Sequence, residues 1–209
     1  MGRIVSVNVG EQQAIEFRGH VVMTGIYKSP VEGSVRIAGV NLVGDDQADR
    51  RVHGGVHKAV YAYSSEDYGW WSEQLDRPLT PGSFGENLTT EDVEIGAAVI
   101  GQRWRTGDVV LEVSEPRMPC YKLGIRMDDP AFPGLFSAAG RPGTYLRIIE
   151  EGSLAAGDRI EIGPPPEHGL TVADIARIYD REHREARRLL EVPELSDPWK
   201  RWARRITET

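Results

Sequence analysis

The stretch Val99-Ile-Gly-Gln-Arg-Trp-Arg-Thr-Gly-Asp-Val-Val-Leu-Glu-Val113 shows the pattern that governs most of this 209-residue chain. Two short β-like runs, Val99–Trp104 and Val109–Val113, flank a glycine-containing turn. Similar runs occur between Gly2 and about Gly163, at His20–Tyr27, Val40–Val43, Lys58–Tyr63, Thr144–Ile149 and Arg159–Ile162. Because the spacing is irregular and no long helices alternate with the strands, the pattern excludes a repeat array and a Rossmann fold. It predicts a mainly β fold, either a closed barrel or a sandwich.

One helix interrupts the β pattern. It is predicted to begin at the capping signal Ser64-Ser65-Glu66-Asp67 and to end before Pro78. Tyr68 and Trp71 have helical spacing within it. We expect these aromatic side chains to lie in the core rather than to form a binding platform.

The composition changes after Gly163-Pro-Pro-Pro166, since three prolines cannot continue a helix or a central strand. Capping signals at Thr171, Asp180 and Ser196 predict three short helices beyond it. We therefore predict a β unit at residues 1–163, a linker at 164–170 and a small three-helix domain at 171–209, with few contacts across the linker. The charges of this domain are interpreted as solvated helix faces, and a docking surface for an acidic partner is the alternative.

Charge and cysteine content limit the function. The net charge of −7 argues against binding to a nucleic-acid polymer. The single cysteine, Cys120, cannot form an internal disulfide or supply a cysteine-rich metal cluster, so a reducing compartment is expected. No apolar run approaches the ~18 residues of a membrane span, and the amino terminus lacks a signal-peptide pattern. We expect a cytoplasmic protein with no membrane partner.

The first candidate site segment is Asp49-Arg-Arg-Val-His-Gly-Gly-Val-His-Lys-Ala-Val-Tyr61. Paired glycines allow a close backbone approach and expose N–H groups that can bind an anion. His53 and His57 have the spacing of a helical metal pair, but Gly54 and Gly55 would break that helix, so a zinc site is disfavoured. A hairpin loop with surface histidines is the structural alternative.

Two further segments contain candidate site residues. Pro81–Thr89 has the glycines and polar groups of a binding loop, although such loops are common. In Ser114–Leu123, Cys120 lies between Arg117 and Lys122. Positive neighbours stabilise a thiolate, which is the nucleophilic and metal-binding form of cysteine. The alternative is a buried, inert cysteine.

Four ordered elements resemble the MOSC domain family: residues 49–59, Phe84-Gly-Glu-Asn87, Pro116-Arg-Met-Pro-Cys-Tyr-Lys122, and Gly140-Arg141 followed by Gly143-Thr-Tyr-Leu-Arg147. The carboxyl-terminal helices resemble the small three-helix domain of the YiiM-like branch of that family. With them, the resemblance covers nearly the whole chain.

This resemblance implies a closed β-barrel that binds molybdenum cofactor, a pterin dithiolene with a terminal phosphate. It makes Cys120 the metal ligand and a catalytic residue, and His53 a second catalytic residue. A soft thiolate suits this metal, and a phosphate needs cations and exposed N–H groups. The expected cofactor-binding residues are Arg51, Gly54, Gly55, Lys58, Phe84, Asn87, Arg117, Lys122 and Arg141. Pyridoxal phosphate, which related fused sulfurases carry in another domain, is not expected here.

The activity implied by the resemblance is reduction of small N-hydroxylated compounds, such as hydroxylaminopurine-type bases and amidoximes. The chain has no Rossmann glycine motif, no haem-attachment sequence and too few cysteines for a cluster, so a separate flavin or iron–sulfur reductase would have to supply electrons. Two other functions stay open. The protein could be a sulfur carrier that holds a persulfide on Cys120, or a non-catalytic ligand-binding barrel.

Overall fold

The structure, a computed structural model, describes residues 1–48 and 54–208. Its strands are β1 (Gly2–Val9), β2 (Gln13–Phe17), β3 (His20–Thr24), β4 (Ser29–Pro30), β5 (Val35–Ala38), β6 (Asn41–Leu42), β7 (Val60–Ser64), β8 (Leu88–Glu91), β9 (Arg103–Thr106), β10 (Val109–Pro116), β11 (Thr144–Glu150), β12 (Gly152–Leu154) and β13 (Arg159–Ile162). Its helices are α1 (Ser65–Gln74), α2 (Tyr121–Met127), α3 (Phe132–Ala139), α4 (Val172–Asp180) and α5 (Asp197–Thr207). Among the described residues, no helix has the length and apolar character needed to cross a membrane.

Seven strands close into a barrel in the order β13-β9-β10-β11-β7-β8-β1. The ring is completed where β1 pairs with β13, with Gly2 opposite Ile160. Only β7 and β8 run parallel within it. The prediction of a closed barrel is confirmed, because a sandwich would leave the edges of its sheets unpaired.

Strand β10 leads directly to the cysteine segment. All eight of its residues are buried, and it pairs with β9 on one side and β11 on the other. Its pairing with β11 shifts register between Val113 and Glu115, as in a β-bulge. A bulge bends the strand and so changes the direction of the chain that follows. The predicted run Val99–Trp104 is wrong in its first half, since Gly101 has a φ of 86° in a turn and β9 begins only at Arg103.

The inserted helices support one side of the barrel. Helix α1 begins as predicted, with Asp67 N donating to Ser64 Oγ at 3.1 Å, and Tyr68 and Trp71 are 6% and 3% exposed. Two further helices, α2 and α3, lie between β10 and β11, where no helix was predicted. Both contain glycine, α3 also contains proline, and they are only seven and eight residues long, too short to show a clear helical period. Together with α1 they enclose an aromatic cluster around Phe84 and Phe136.

The carboxyl-terminal segment follows the predicted capping signals with one difference. Thr171 and Asp174 form a capping box, with Asp174 N donating to Thr171 Oγ1 at 3.1 Å. The second predicted helix is instead a 3-10 stretch at His183–Glu191, with no side-chain cap. The third predicted helix is α5, whose N-cap residue is Ser196.

This segment packs directly on the barrel. Val172 N donates to Ala98 O at 2.9 Å, and the side chains of Ile175 and Leu189 are fully buried in the same apolar cluster as the barrel core. The expectation of few contacts across the linker is therefore wrong, because the apolar faces of short helices need a surface to cover them. The domain boundaries themselves stay a prediction.

Candidate functional site

A cavity lies beside Cys120, where loops from several barrel strands meet. Six residues expected at the site line it: Lys58, Phe84, Asn87, Arg117, Cys120 and Lys122. These residues are far apart in sequence, so the fold has brought separate predicted elements to one wall. Arg51 and His53 lie outside the described residues, and their predicted roles stay predictions.

Cys120 occupies the turn between β10 and α2. It is half-buried and is the N-cap residue of α2, where its carbonyl accepts from Leu123 N at 2.9 Å. The next two residues attach this turn to the β2–β3 hairpin. Tyr121 stacks on Phe17 with 5.1 Å between ring centroids, and Lys122 Nζ donates to Met23 O at 2.8 Å. The hairpin thereby forms one side of the cavity.

Arg117 is a buried cation on the cavity wall. It is 5% exposed, and its guanidinium lies 5.5 Å from the centroid of the Tyr61 ring and 5.4 Å from that of Phe136. Burial lowers the pKa of the guanidinium, but electrostatic interaction with Tyr61, Tyr145 and Cys120 outweighs this and raises the pKa above its ordinary value. Within residues 1–48 and 54–208, Nη1 has no hydrogen-bond partner and no carboxylate forms an ion pair with this side chain. The guanidinium also forms a side-chain hydrogen bond with Tyr145. Since a buried charge without a carboxylate is costly, an anionic ligand suits this position.

Lys58 and Tyr145 add an ammonium and a hydroxyl to the cavity lining. Lys58 Nζ is 3.4 Å from Glu115 Oε1 and 5.7 Å from the centroid of the Tyr145 ring. Burial raises the pKa of Tyr145 to about 12, against the opposing effect of Arg117. The Tyr145 hydroxyl therefore keeps its proton at neutral pH.

A buried ion pair that no sequence pattern predicted also lines the cavity. Lys28 Nζ pairs with Asp45 Oδ1, and both side chains are almost fully buried. Burial lowers the pKa of Lys28, although Asp45 opposes this. Asp45 also accepts from Gly10 N and from Asn87 Nδ2, each at 2.9 Å. No local pattern marked Lys28 or Asp45, because their pairing depends on two loops meeting in space.

Both polar atoms of the Asn87 side-chain amide form hydrogen bonds within the protein. Its Oδ1 accepts from Tyr61 N at 3.1 Å, and its Nδ2 donates to Asp45 and to Asn8 O. The side chain lines the cavity, but these bonds join β1, β7 and the loop before β8. Its predicted role in cofactor binding stays a prediction, and positioning of the wall is the role that the contacts show.

The loop before β8 is built around a buried carboxylate. Glu86 is fully buried and accepts from Tyr68 Oη at 2.6 Å, Gly82 N at 2.7 Å and Thr89 Oγ1 at 2.8 Å. Burial raises the pKa of Glu86, while these hydrogen bonds act in the opposite direction. The loop approaches the segment after β3 so closely that a Cβ on Gly85 would lie 2.8 Å from Ile26 Cγ1.

The paired glycines lie beside the cavity but do not line it. Gly55 has a φ of 89°, and its N–H donates to Gln47 Oε1 at 3.2 Å. His57 Nδ1 is 3.3 Å from Arg147 Nη1, and His57 is not among the lining residues. Burial, followed by Arg147, lowers the pKa of His57.

Arg141 does not lie where it was expected. It forms an ion pair with Asp67 and lies 4.8 Å from the centroid of the Trp70 ring, and it does not line the Cys120 cavity. The segment around it is held by Gly143, where a Cβ would lie 2.7 Å from Ala62 O. That close approach explains the glycine at position 143, and the predicted role of Arg141 in cofactor binding stays a prediction.

The described residues contain no group of three or more His, Cys, Asp or Glu side chains that could hold a metal ion. Cys120 is thus a single thiol near cations, and not part of a protein-only metal cluster within the described chain.

Comparison with known proteins gives the family. Residues 49–161 match the MOSC domain. The chain is 32% identical to Protein YiiM of Escherichia coli over 187 residues, covering 85% of this chain and 82% of YiiM. The crystal structure of YiiM from Geobacillus stearothermophilus matches with a TM-score of 0.82 and 29% identity over 99% of both chains. A Gibberella moniliformis protein named "Reductase" is 32% identical over 166 residues, which cover 77% of this chain and 29% of that protein.

MOSC domains are generally associated with molybdenum-cofactor binding. The matched residues include the two elements that supply Lys58 and Cys120 to the cavity. The chain therefore belongs to the MOSC domain family and to its YiiM-like members.

Proposed function

We propose that this protein is a molybdenum-cofactor-binding reductase of N-hydroxylated compounds that receives electrons from a separate reductase. The observation that carries the proposal is the Arg117 guanidinium, buried without a carboxylate partner among the described residues, in the same cavity as the only cysteine. The relative named "Reductase" supports oxidoreductase chemistry in general, without indicating a substrate.

The residues present fit the cofactor. An anionic phosphate suits the unpartnered Nη1 of Arg117, and the ammonium groups of Lys58 and Lys122 line the same cavity. Cys120 offers the one soft ligand, which suits molybdenum. When bound, the cofactor supplies two-electron redox chemistry at its metal.

The chain supplies position and protons. Reduction of R–NH–OH takes two electrons and two protons, breaks the N–O bond and releases R–NH₂ and water. The ammonium of Lys28 and the hydroxyl of Tyr145 are proton-bearing groups on the cavity wall. Burial lowers the pKa of Lys28, which eases release of its proton. The buried Tyr61, Phe84 and Phe136 rings limit water on that side of the cavity.

Small bases and amidoximes are the proposed substrates. The acidic net charge favours neutral bases over polymeric nucleic acid, whose phosphates it would repel. Electrons would come from a flavin or iron–sulfur reductase, which this chain would bind as a separate protein.

The direct test uses protein produced in a host that synthesises the pterin. We expect stoichiometric molybdenum by elemental analysis and, with a chemical or enzymatic reductant, conversion of 6-hydroxylaminopurine to adenine. Adenine and other compounds without an N–O bond should not react.

Two outcomes would replace this proposal. Protein without molybdenum, but with a persulfide on Cys120, would indicate a sulfur carrier. No turnover of several N-hydroxylated compounds, at full molybdenum content and with the metal demonstrably reduced, would indicate a non-catalytic binding barrel.

A further inference from the structure

A buried chain of polar contacts links the carboxyl-terminal segment to the cavity. Ser196 Oγ donates to Glu115 Oε2 at 2.6 Å, and Glu115 Oε1 is 3.4 Å from Lys58 Nζ, which lines the cavity. Ser196 and Glu115 are each 3% exposed. The three residues belong to different parts of the chain, so only the packing of the helical segment on the barrel creates the contact.

The hydroxyl of Ser196 does not cap helix α5, which begins at the next residue. Serine at an N-cap position usually accepts a hydrogen bond from a backbone N–H of the first turn. Here Ser196 forms no side-chain cap, and its hydroxyl donates to Glu115 instead. The position therefore places a donor on a carboxylate of the barrel.

The Glu115 carboxylate divides its charge between two partners. One oxygen accepts from Ser196, and the other faces the Lys58 ammonium. Hydrogen bonds to a charged acceptor are strong, and electrostatic interactions are only weakly screened at a buried site. The Ser196 hydroxyl thus reduces the negative charge that reaches Lys58, and the remaining positive potential extends into the cavity.

We propose that Ser196 and Glu115 are positioning residues that set the positive potential of the Cys120 cavity, so that the carboxyl-terminal segment tunes its affinity for anions. This inference deepens the proposed function and rests only on its anion-binding cavity.

The single cysteine reports the potential directly. Full-length protein from a host that lacks the pterin is alkylated at Cys120 with iodoacetate, an anion, and with iodoacetamide, its neutral counterpart. The ratio of the two rates cancels the thiolate fraction and the accessibility of the sulfur. It rises when the cavity becomes more positive and falls when it becomes less so.

The variants should shift this ratio in opposite directions. Glu115→Gln keeps the shape of the side chain and removes the negative charge, so we expect the ratio to rise about threefold. Ser196→Ala removes the hydroxyl that donates to Glu115, so the full carboxylate charge acts on the Lys58 ammonium. We therefore expect the ratio to fall about twofold. Ser196→Thr keeps the hydroxyl and should restore the ratio of the unmodified protein.

Ser137→Ala is the matched control. Ser137 Oγ donates to Asp180 Oδ2 at 2.8 Å, so this variant also removes a hydrogen bond between the barrel side and the helical segment, and neither partner lines the Cys120 cavity. Its ratio should not change. If Ser196→Ala does not fold, as judged by circular dichroism, Lys58→Gln replaces it, with an expected fall opposite to the rise in Glu115→Gln.

Shifts in the same direction for Glu115→Gln and Ser196→Ala, or no shift in either, would overturn the inference. Its failure is distinct from failure of the proposed function, because alkylation needs no cofactor. Opposite shifts in a protein that never binds molybdenum would keep the inference and reject the reductase.

Discussion

The loop at residues 116–120 and the segment at residues 140–143 each contain one arginine of the family pattern, and the fold uses the two arginines differently. Arg117 is buried on the cavity wall, and its Nη1 has no partner among the described residues. Arg141 has a side chain 39% exposed, paired with Asp67 and placed over Trp70. The proposed function assigns the first arginine to an anionic ligand, whereas the second already has a carboxylate partner within the protein.

Two arginines of one family pattern can therefore have different surroundings, and we expect only Arg117 to bind a ligand. Both arginines lie in elements with glycine or proline neighbours, and both have the same charge. What separates them is whether the surrounding chain provides a carboxylate. The following substitutions test that distinction.

Cys120→Ser should have the largest effect. A hydroxyl replaces a soft thiolate with little change in size, so we expect bound molybdenum and N–O reductase activity to be lost together while the barrel stays folded. Elemental analysis measures the bound molybdenum, and circular dichroism shows whether the barrel is folded. Full metal content in the variant would remove Cys120 from the metal site.

Arg117→Met should separate binding from stability. Loss of a charge-assisted hydrogen bond, worth about 2 kcal/mol, should reduce cofactor affinity roughly 30-fold. The free energy of unfolding of the cofactor-free protein should rise by about 1 kcal/mol, since a buried charge without a carboxylate is removed. Pterin content and urea unfolding test both expectations. A large loss of stability with unchanged pterin content would show that Arg117 is structural.

Gly143→Ala should reduce stability more than Gly140→Ala. The two glycines have nearly equal φ angles, 67° and 66°, but a Cβ would lie 2.7 Å from Ala62 O at Gly143 and would meet nothing within 4 Å at Gly140. We expect a loss of about 1 kcal/mol at Gly140 from backbone strain, and about 2 kcal/mol more at Gly143 from the clash. Urea unfolding of both variants measures the difference. Equal losses would show that the close approach to β7 does not hold this segment.

Arg141→Met should have the smallest effect. Its ion pair is partly exposed, so we expect a stability loss below about 1 kcal/mol and no change in molybdenum content. This variant is the matched control for Arg117→Met. A loss of cofactor as large as that in Arg117→Met would show that Arg141 also binds the cofactor.

Several features could be predicted because they depend on local chemistry. Alternating apolar runs with glycine turns identified most of the barrel strands, and capping residues identified the starts of α1 and α4. The cysteine with cationic neighbours was identified in the same way, and Cys120, Arg117 and Lys122 do line one cavity. The resemblance to the MOSC domain added Phe84 and Asn87 from elsewhere in the chain.

Other features were decided by the tertiary structure alone. The Asp45–Asn87 and Ser196–Glu115 bonds join residues 42 and 81 positions apart, and no periodic pattern encodes such pairs. The sequence by itself determined most of the barrel strands, the starts of α1, α4 and α5, and which residue types could bind an anion or a soft metal. The order of strands and the paths of loops decided which charges have a carboxylate partner, because burial without one, as at Arg117, arises only when distant segments pack together.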